Sequence, residues 1–475
     1  MAAAFISLVL ALGFAPPPPV AATAPAWPTF YVDGKHGSDT ATGRSLEDAF
    51  KTVKRGMWEL RHGGRLEIVG YADYVYYEEM TASQWMINGT PEQPVVIQGH
   101  GYGSAGAVRP MISGALVVST PGSDAWTRPD PAYPDVWATP WSTLIPGYEP
   151  GIRGYRQERI FVDISQPLVR PRDVATLADL QAMPGSQYWD GTRLYVRLGG
   201  WGAADGASPS TDPNDHRIEI PYYKGILAAS GSVHVIIRGL DVRHTTMGVG
   251  FTGTASHGTV EDVDASYNNP MGFFSAGYHV LRRIAGRRNT SQLVKVDNGA
   301  HHNLVERAVG IENLGQGVKL SGPSTAYNTV RLSTFEGGKR VPMSAGQYGG
   351  YIQGIDIEQG AHHNTIQRNT IRGMRRGLML YQISAAGKPL TGNQIRGNYF
   401  EGNDAAIVLW DGKYSATGGS GSVTFSRNVY VGNARAVTSE STTSNKVVDR
   451  ETFFRTGSSK SSASSAFYLK AGRVT

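Results

Sequence analysis

Gln292-Leu293-Val294-Lys295-Val296 and, 24 residues on, Gln316-Gly317-Val318-Lys319-Leu320 are two copies of one pattern. Five further copies begin at 247, 271, 353, 376 and 405, so the steps are 24, 21, 24, 37, 23 and 29 residues. That is a base period near 23 with insertions after the fourth and sixth copies. A repeat of this length, too short to bury a core alone, is the signature of a solenoid whose coils cover one another. Within a copy the third and fifth residues are apolar and the fourth varies, which is strand periodicity with one buried face. The register predicts one inward column, Ile226, Val249, Phe273, Val294, Val318, Ile355, Leu378 and Ile407. Outward-facing positions then form a second column, Gly250, Phe274, Lys295, Lys319, Asp356, Met379 and Val408.

A second strand follows in several copies, at His302-Asn303-Leu304-Val305, Tyr327-Asn328-Thr329-Val330, His363-Asn364-Thr365-Ile366 and Gly392-Asn393-Gln394-Ile395. Asn369, Asn398 and Asn428 recur in the same way. Asparagine tolerates left-handed backbone and can hydrogen-bond to its own kind along an axis, so these residues predict ladders at the turns of a parallel β-helix. The pairs His301/His302 and His362/His363 share one turn position and are read as part of that scaffold rather than as metal ligands.

The fold class expected is therefore all-β, a right-handed parallel β-helix of about ten coils. Ser45 and the spacing of Leu46, Ala49, Phe50, Val53, Met57 and Leu60 predict a capping helix over 45–60. The period is lost between 115 and 222, where Trp126, Trp137, Trp141, Trp189, Tyr195 and Trp201 sit among Pro and Gly turns, and an inserted β-rich module is expected there. The organisation reads as a leader and linker (1–26), cap and first coils (27–114), insert (115–222), β-helix with the active face (223–457) and a Ser-rich tail (458–475).

Composition closes several chemistries. The 475 residues contain no cysteine, which excludes disulfides, Cys-ligated zinc, iron–sulfur clusters and a cysteine nucleophile. Lys+Arg 45 against Asp+Glu 39 gives a formal charge of +6 without a basic run, which leaves no nucleic-acid footprint. No nucleophile elbow or Gly-rich phosphate loop is present. The apolar run Phe5 to Ala15, followed by prolines and small residues to Ala24, reads as a signal peptide, with secretion as the expected localisation. No other stretch approaches the ~18 apolar residues of a membrane span. A monomer is expected.

The outward face carries the candidate chemistry. Lys295, Asp297, Lys319, Asp356, Glu358 and Tyr381 share one patch, since coils stack about 4.8 Å apart. Arg376, Gln316 and Gln353 lie at its margin, Trp410 extends it, and the insertion at 338–352 with Lys339, Arg340, Tyr348 and Tyr351 rises beside it. Asp356 and Glu358, at i and i+2, are expected about 6.5–7 Å apart, near the separation used by inverting glycosidases. A solvated face of paired charges would need the same residues and no function.

The segments Phe30-Tyr31-Val32-Asp33-Gly34, Gly37-Ser38-Asp39, Ala49-Phe50-Lys51-Thr52-Val53 and Gly89-Thr90-Pro91-Glu92-Gln93-Pro94-Val95-Val96-Ile97 resemble the opening of parallel β-helix polysaccharide-active enzymes. Gly315-Gln316-Gly317-Val318-Lys319-Leu320-Ser321-Gly322 is similar to the segment that carries the lysine base in family 9 polysaccharide lyases. That resemblance implies a secreted lyase acting on an acidic, uronate-containing polysaccharide by β-elimination. Elimination needs the sugar carboxylate neutralised, a base for the C5 proton and a proton for the departing O4. In this reading Lys319 is the base, Lys295 with Arg376 or Arg340 holds the carboxylate, and Tyr381 is the proton donor. Asp297, Asp356, Glu358 and Trp410 contact substrate. The family usually holds calcium with an aspartate cluster an earlier coil supplies; here Lys295 stands where a carboxylate is expected, so Ca2+ stays open. Two alternatives stay open as well, an inverting glycoside hydrolase using Asp356 and Glu358, and a noncatalytic carbohydrate-binding solenoid.

Overall fold

The structure is a computed structural model that describes residues 27–78, 86–140, 160–163, 166–168, 176–199, 210–268, 271–274, 276–340, 352–382, 390–411, 422–439, 445–449, 452–454 and 469–470. Residues 1–26, where a leader is expected, most of the Ser-rich tail, Trp141, Trp201, Tyr348 and Tyr351 lie outside them. Parallel strands stack coil on coil into a right-handed β-helix. Among the described residues one sheet has 13 strands, a second nine and a third seven. Each coil from the middle of the chain onward contributes one short strand to each sheet. The second sheet runs from Ile226–Ala228 through Val294–Asp297, Val318–Ser321, Gln353–Glu358 and Arg376–Gln382 to Val437–Ser439.

Only two strands per repeat are legible in the sequence, and the third is a correction. Val309–Ile311, Thr334–Glu336, Thr370–Arg372, Tyr399–Glu401 and Val429–Val431 form the seven-stranded sheet with their neighbours. Each three-residue strand points a single side chain inward, such as Phe335, Ile371, Phe400 and Tyr430, and one residue shows no alternation.

The inward column holds except at one copy. Ile226 pairs with Val249, Val294 with Val318, Val318 with Ile355, Ile355 with Leu378 and Leu378 with Ile407. Met271, not Phe273, stands beside Val294, and Gly272, not Phe274, beside Lys295. The expected register is slipped by two residues there. Because side chains alternate with period two, a slip of two keeps the same face and leaves no trace in the apolar pattern.

The turns are fixed by asparagines. Asn303 Nδ2 donates to Asn328 Oδ1 at 3.0 Å, Asn328 to Asn364 at 3.0 Å and Asn364 to Asn393 at 3.1 Å. A second ladder links Asn369, Asn398 and Asn428 at 3.0 Å per step. The left-handed backbone falls one residue earlier than expected, on His302, Tyr327, His363 and Gly392. Those rings stack outside the turn, with centroids 5.1 Å apart for His302–Tyr327 and 5.2 Å for Tyr327–His363. Their imidazoles serve the stack.

The amino-terminal helix is shorter than the spacing predicts. It spans Val53–Glu59, its first turn closed by the Thr52 side chain accepting from the Arg55 amide, and it buries Val53, Gly56 and Met57. Ser45 instead closes a local turn onto Asp48, and Leu46 is exposed. Phe50 is drawn into a bridge with Val32, which stops the helix extending backward.

The strand Val95–Gly99 pairs directly with Val235–Arg238, and Met111–Ser113 with Asp241–Arg243. The chain between is thus an excursion inserted between adjacent rungs. It contains antiparallel sheets and its own apolar cluster around Trp126, Trp137, Ile160, Val196 and Ile220. No helix among the described residues is long and apolar enough to cross a membrane.

Two stability outcomes follow from this register. Val318→Ala and Ile355→Ala, both fully buried, should each cost about 1–4 kcal/mol in urea unfolding, and unchanged midpoints in both would contradict the inward column. Asn364→Ala leaves the Asn328 amide and side-chain N–H groups without their acceptor and should cost about 1–3 kcal/mol. The solvent-side Thr365→Ala is the comparison; an equal loss there would show that the ladder carries no special weight.

Candidate active site

The outward side of the nine-stranded sheet brings most of the expected residues together. Lys295 pairs in register with Lys319, Lys319 with Asp356, and Asp356 with Met379. On the same face Ser321 pairs with Glu358, Glu358 with Tyr381 and Tyr381 with Trp410. The strand over Gln353–Glu358 buries every residue, including the outward Asp356 at 2% exposure and Glu358 at 4%. An outward column that is buried yet ionisable needs partners.

Those partners form one network. Lys319 Nζ lies 2.7 Å from Glu358 Oε1, reaching diagonally past the Asp356 that stands directly opposite it. Ser321 Oγ donates to Glu358 Oε1 at 2.9 Å. Gln316 Nε2 donates to Asp356 Oδ2 at 3.2 Å, and its own Oε1 accepts from Gln292 Nε2 at 2.8 Å. Asp356 Oδ1 is buried with no donor facing it. Burial, followed by the charge of Glu358, pushes the Asp356 carboxyl well above the usual carboxylate range, against the opposing pull of Lys319. Once protonated, Asp356 is itself a donor and Glu358 is the acceptor in reach. Glu358 thus acts on Asp356 both through its charge and as a neighbouring hydrogen-bonding side chain.

Lys319 shows which of two opposing effects wins. Burial alone lowers an ammonium's pKa, and an adjacent lysine would add to that. Glu358, with Asp356 and Asp297 behind it, overcomes burial and holds Lys319 above its ordinary value. Lys319 thus keeps its proton at neutral pH. Lys295 does not crowd it, since its Nζ is turned to Asp297 Oδ2 at 2.7 Å.

That last contact bears on calcium. A calcium site needs six to eight oxygens, and here an ammonium occupies the one carboxylate the expected coil offers. Among the described residues no three His, Asp or Glu side chains gather as metal ligands. The donor set does not fit the calcium cluster that the family 9 resemblance implies.

Beyond Glu358 the face becomes aromatic. Tyr381 and Trp410 lie with ring centroids 4.7 Å apart, and the Arg376 guanidinium sits 5.6 Å from the Trp410 centroid. Arg376 also donates to Met379 Sδ, so it stands two rungs from Lys319 rather than beside it. Arg340 ends a short turn, Gly338–Arg340, and its side chain falls outside the described residues, as does the insertion at 341–351 expected to wall the face. Sequence reading placed Gln316 and Gln353 at the margin but gave no role to Gln292 or Ser321. The signal was present in the glutamines that open three successive copies, Gln292, Gln316 and Gln353.

Residues 297–452, about a third of the chain, match the family described as periplasmic copper-binding protein (NosD). No curated protein matches the sequence significantly. Among solved structures, XylC in complex with xylose is similar over 90% of this chain and 69% of its own, at 11% identity and a TM-score of 0.54. The GH136 lacto-N-biosidase from Eubacterium ramulus is similar over 92% of this chain and 67% of its own, at 12% identity and a TM-score of 0.48. An alginate lyase from Paenibacillus sp. str. FPU-7 matches 50% of this chain and 94% of its own, at 10% identity and a TM-score of 0.36. At such identities the likeness is one of fold, and it is to the parallel β-helix.

Proposed function

We propose that this protein is a polysaccharide-active enzyme whose acid–base centre is Asp356, Glu358 and Lys319, and that it cleaves glycosidic bonds with Asp356 as the proton donor. The observation that carries this reading is the buried Asp356 carboxyl, its proton affinity raised by burial and by Glu358, on the strand whose Glu358 lies 2.7 Å from the Lys319 ammonium. A carboxyl with raised proton affinity is what the acid step of glycoside cleavage requires, and strongly displaced groups cluster at functional sites. Lys319, 19% exposed at its side chain, is the member that faces substrate, while Tyr381 and Trp410 offer rings on which a sugar stacks. The XylC and GH136 folds accord with a carbohydrate ligand on such a scaffold.

The lysine-base lyase is the second reading, favoured by Lys295 and Lys319 standing in register on adjacent rungs and by the Gly317-Val318-Lys319-Leu320 segment. Its substrate would be an acidic, uronate-containing polymer, with Tyr381 donating the proton. The two readings differ in pH dependence. A lysine base works only when deprotonated, so elimination would grow as pH rises towards the raised pKa of Lys319. A carboxylic acid donor loses activity as pH rises through the pair's upper pKa.

The deciding assay incubates the protein with neutral and acidic polysaccharides and follows reducing ends together with the ultraviolet absorbance of unsaturated uronate. New reducing ends without that absorbance are expected, and Asp356→Asn should lower the rate about 100-fold or more. Unsaturated products lost in Lys319→Ala would establish the lyase instead. Binding to a polymer without either product would leave a noncatalytic carbohydrate-binding solenoid.

Stability should report the same proton. Asp356 binds its proton more tightly folded than unfolded, so its contribution is full below about pH 4 and is lost as pH rises through the raised folded value. Asp356→Asn removes that dependence. In urea unfolding between pH 4 and 8 the variant should gain on the parent steadily as pH increases. Parallel curves would show that Asp356 is not held neutral.

A further inference from the structure

The outer turn after seven consecutive strands of the thirteen-stranded sheet places one residue in left-handed backbone: Asp262, Arg283, Arg307, Leu332, Arg368, Gly397 and Arg427, with φ between 52° and 63°. At and beside the early positions of this column several arginines are neutralised, Arg307 excepted. Arg283 Nε and NH2 hold Asp262 at 2.8 Å, Arg282 holds Glu261 at 2.6 Å, and Arg331 holds Glu306 at 2.7 Å. Further along, Gln367, Arg396 and Ser426 follow Arg331 on successive rungs before a carboxylate, Asp449, recurs. Arg368, Arg396 and Arg427 have no carboxylate partner among the described residues, and Arg396 Nε donates only to Gln367 Oε1, at 2.9 Å.

At this point the column contains a gap. Gly397 stands between Arg368 and Arg427, and a Cβ built on it would meet nothing nearer than Arg368 Cγ at 3.8 Å. The missing side chain opens a cavity of about 470 Å³ lined by Gln367, Arg368, Arg396, Gly397, Ser426 and Arg427. Among the described residues no acidic side chain lines it, and on the next rung Asp449 pairs in register with Ser426. Gln367, Arg396 and Ser426 are register neighbours on successive rungs, so the two flanking arginines stand about 10 Å apart across the notch. Directly inside the turn, Asn369, Asn398 and Asn428 lock the three coils together at 3.0 Å per step. The backbone that carries the guanidinium groups is thus held before any ligand arrives.

We propose that this notch is an oxyanion-binding site, taking a sulfate or phosphate group either free or esterified to a sugar, on a different face from the acid–base centre. Three arginines lining one notch, none with a carboxylate partner among the described residues, suit a group with several equivalent oxygens, since each planar fork can donate two parallel N–H bonds. Ser426 and Gln367 add neutral polar groups. The missing side chain at Gly397 supplies the room.

The test titrates the full-length protein with inorganic sulfate and phosphate, and separately with a sulfated oligosaccharide and its desulfated parent, by calorimetry at matched ionic strength. Binding is expected for the oxyanions and the sulfated sugar, weakened at least tenfold in the Arg368→Gln/Arg396→Gln/Arg427→Gln variant and in Gly397→Asn, which fills the notch while tolerating its backbone. Arg331→Gln, whose arginine is already paired, should leave binding unchanged. Tighter binding of the sulfated sugar than of inorganic sulfate assigns an ester; equal binding assigns the free ion. Unaltered affinity in both notch variants, or an equal loss in Arg331→Gln, would overturn the site. The exposed substitutions should leave circular dichroism and the unfolding midpoint unchanged, which separates loss of the site from loss of the fold.

Discussion

Every inward side chain of this chain is buried only because the next coil covers it. A 23-residue repeat has no interior of its own, so Val294 needs Val318, Val318 needs Ile355, and Ile355 needs Leu378. In-register parallel pairing is what makes that coverage possible, and the asparagine ladders hold the register where strands give way to turns. Asn328 shows the economy of the device: its amide N–H and its Nδ2 both donate to Asn364 Oδ1, while Nδ2 also reaches Ala300 O on the coil before. A single side chain thereby ties three coils. The same constraint explains why an excursion beginning near residue 115 is tolerated. Val95–Gly99 and Val235–Arg238 meet as adjacent rungs, and closing a longer loop costs only about 0.6 kcal/mol per doubling of its length.

Stacking dictates the electrostatics as strictly as the core. Outward columns force like residues together at one rung's spacing, and Lys295 beside Lys319 is an unfavourable pair unless each finds a carboxylate. Lys295 finds Asp297 two residues along its own strand. Lys319 has Ser321 at that place and must reach across to Glu358. One ammonium cannot pair with two buried carboxyls, and the second, Asp356, has its proton affinity raised by burial and by the Glu358 charge. Serine in place of aspartate at a single column position thus separates an ion pair closed within one strand from a cluster shared between two rungs.

The legibility of this architecture in the sequence follows the same division. Apolar alternation exposed the nine-stranded sheet because its strands bury two or more residues each. The seven-stranded sheet escaped because Ile371 or Phe400 stands alone between polar neighbours. Phe273 was misplaced by two residues because alternation cannot count rungs; only pairing can. The helix was drawn too long because Leu46, Ala49 and Phe50 have helical spacing, whereas Phe50 is taken by Val32. At the site, membership was legible and charge state was not. Lys319, Asp356 and Glu358 follow from column position, but the balance of burial against Glu358 depends on which way each side chain turns.

Net charge shows the limit from the other side. A formal +6 is a sum, and as a sum it says little about partners. Column geometry gives it a location. Along the outer turn, Asp262, Glu261 and Glu306 cancel Arg283, Arg282 and Arg331, while Arg368, Arg396 and Arg427 have no acid among the described residues and stand beside a glycine. A solenoid turns sequence spacing into spatial adjacency, so a modest excess of positive charge, unremarkable when spread over 475 residues, becomes concentrated wherever consecutive coils repeat an arginine without its acid.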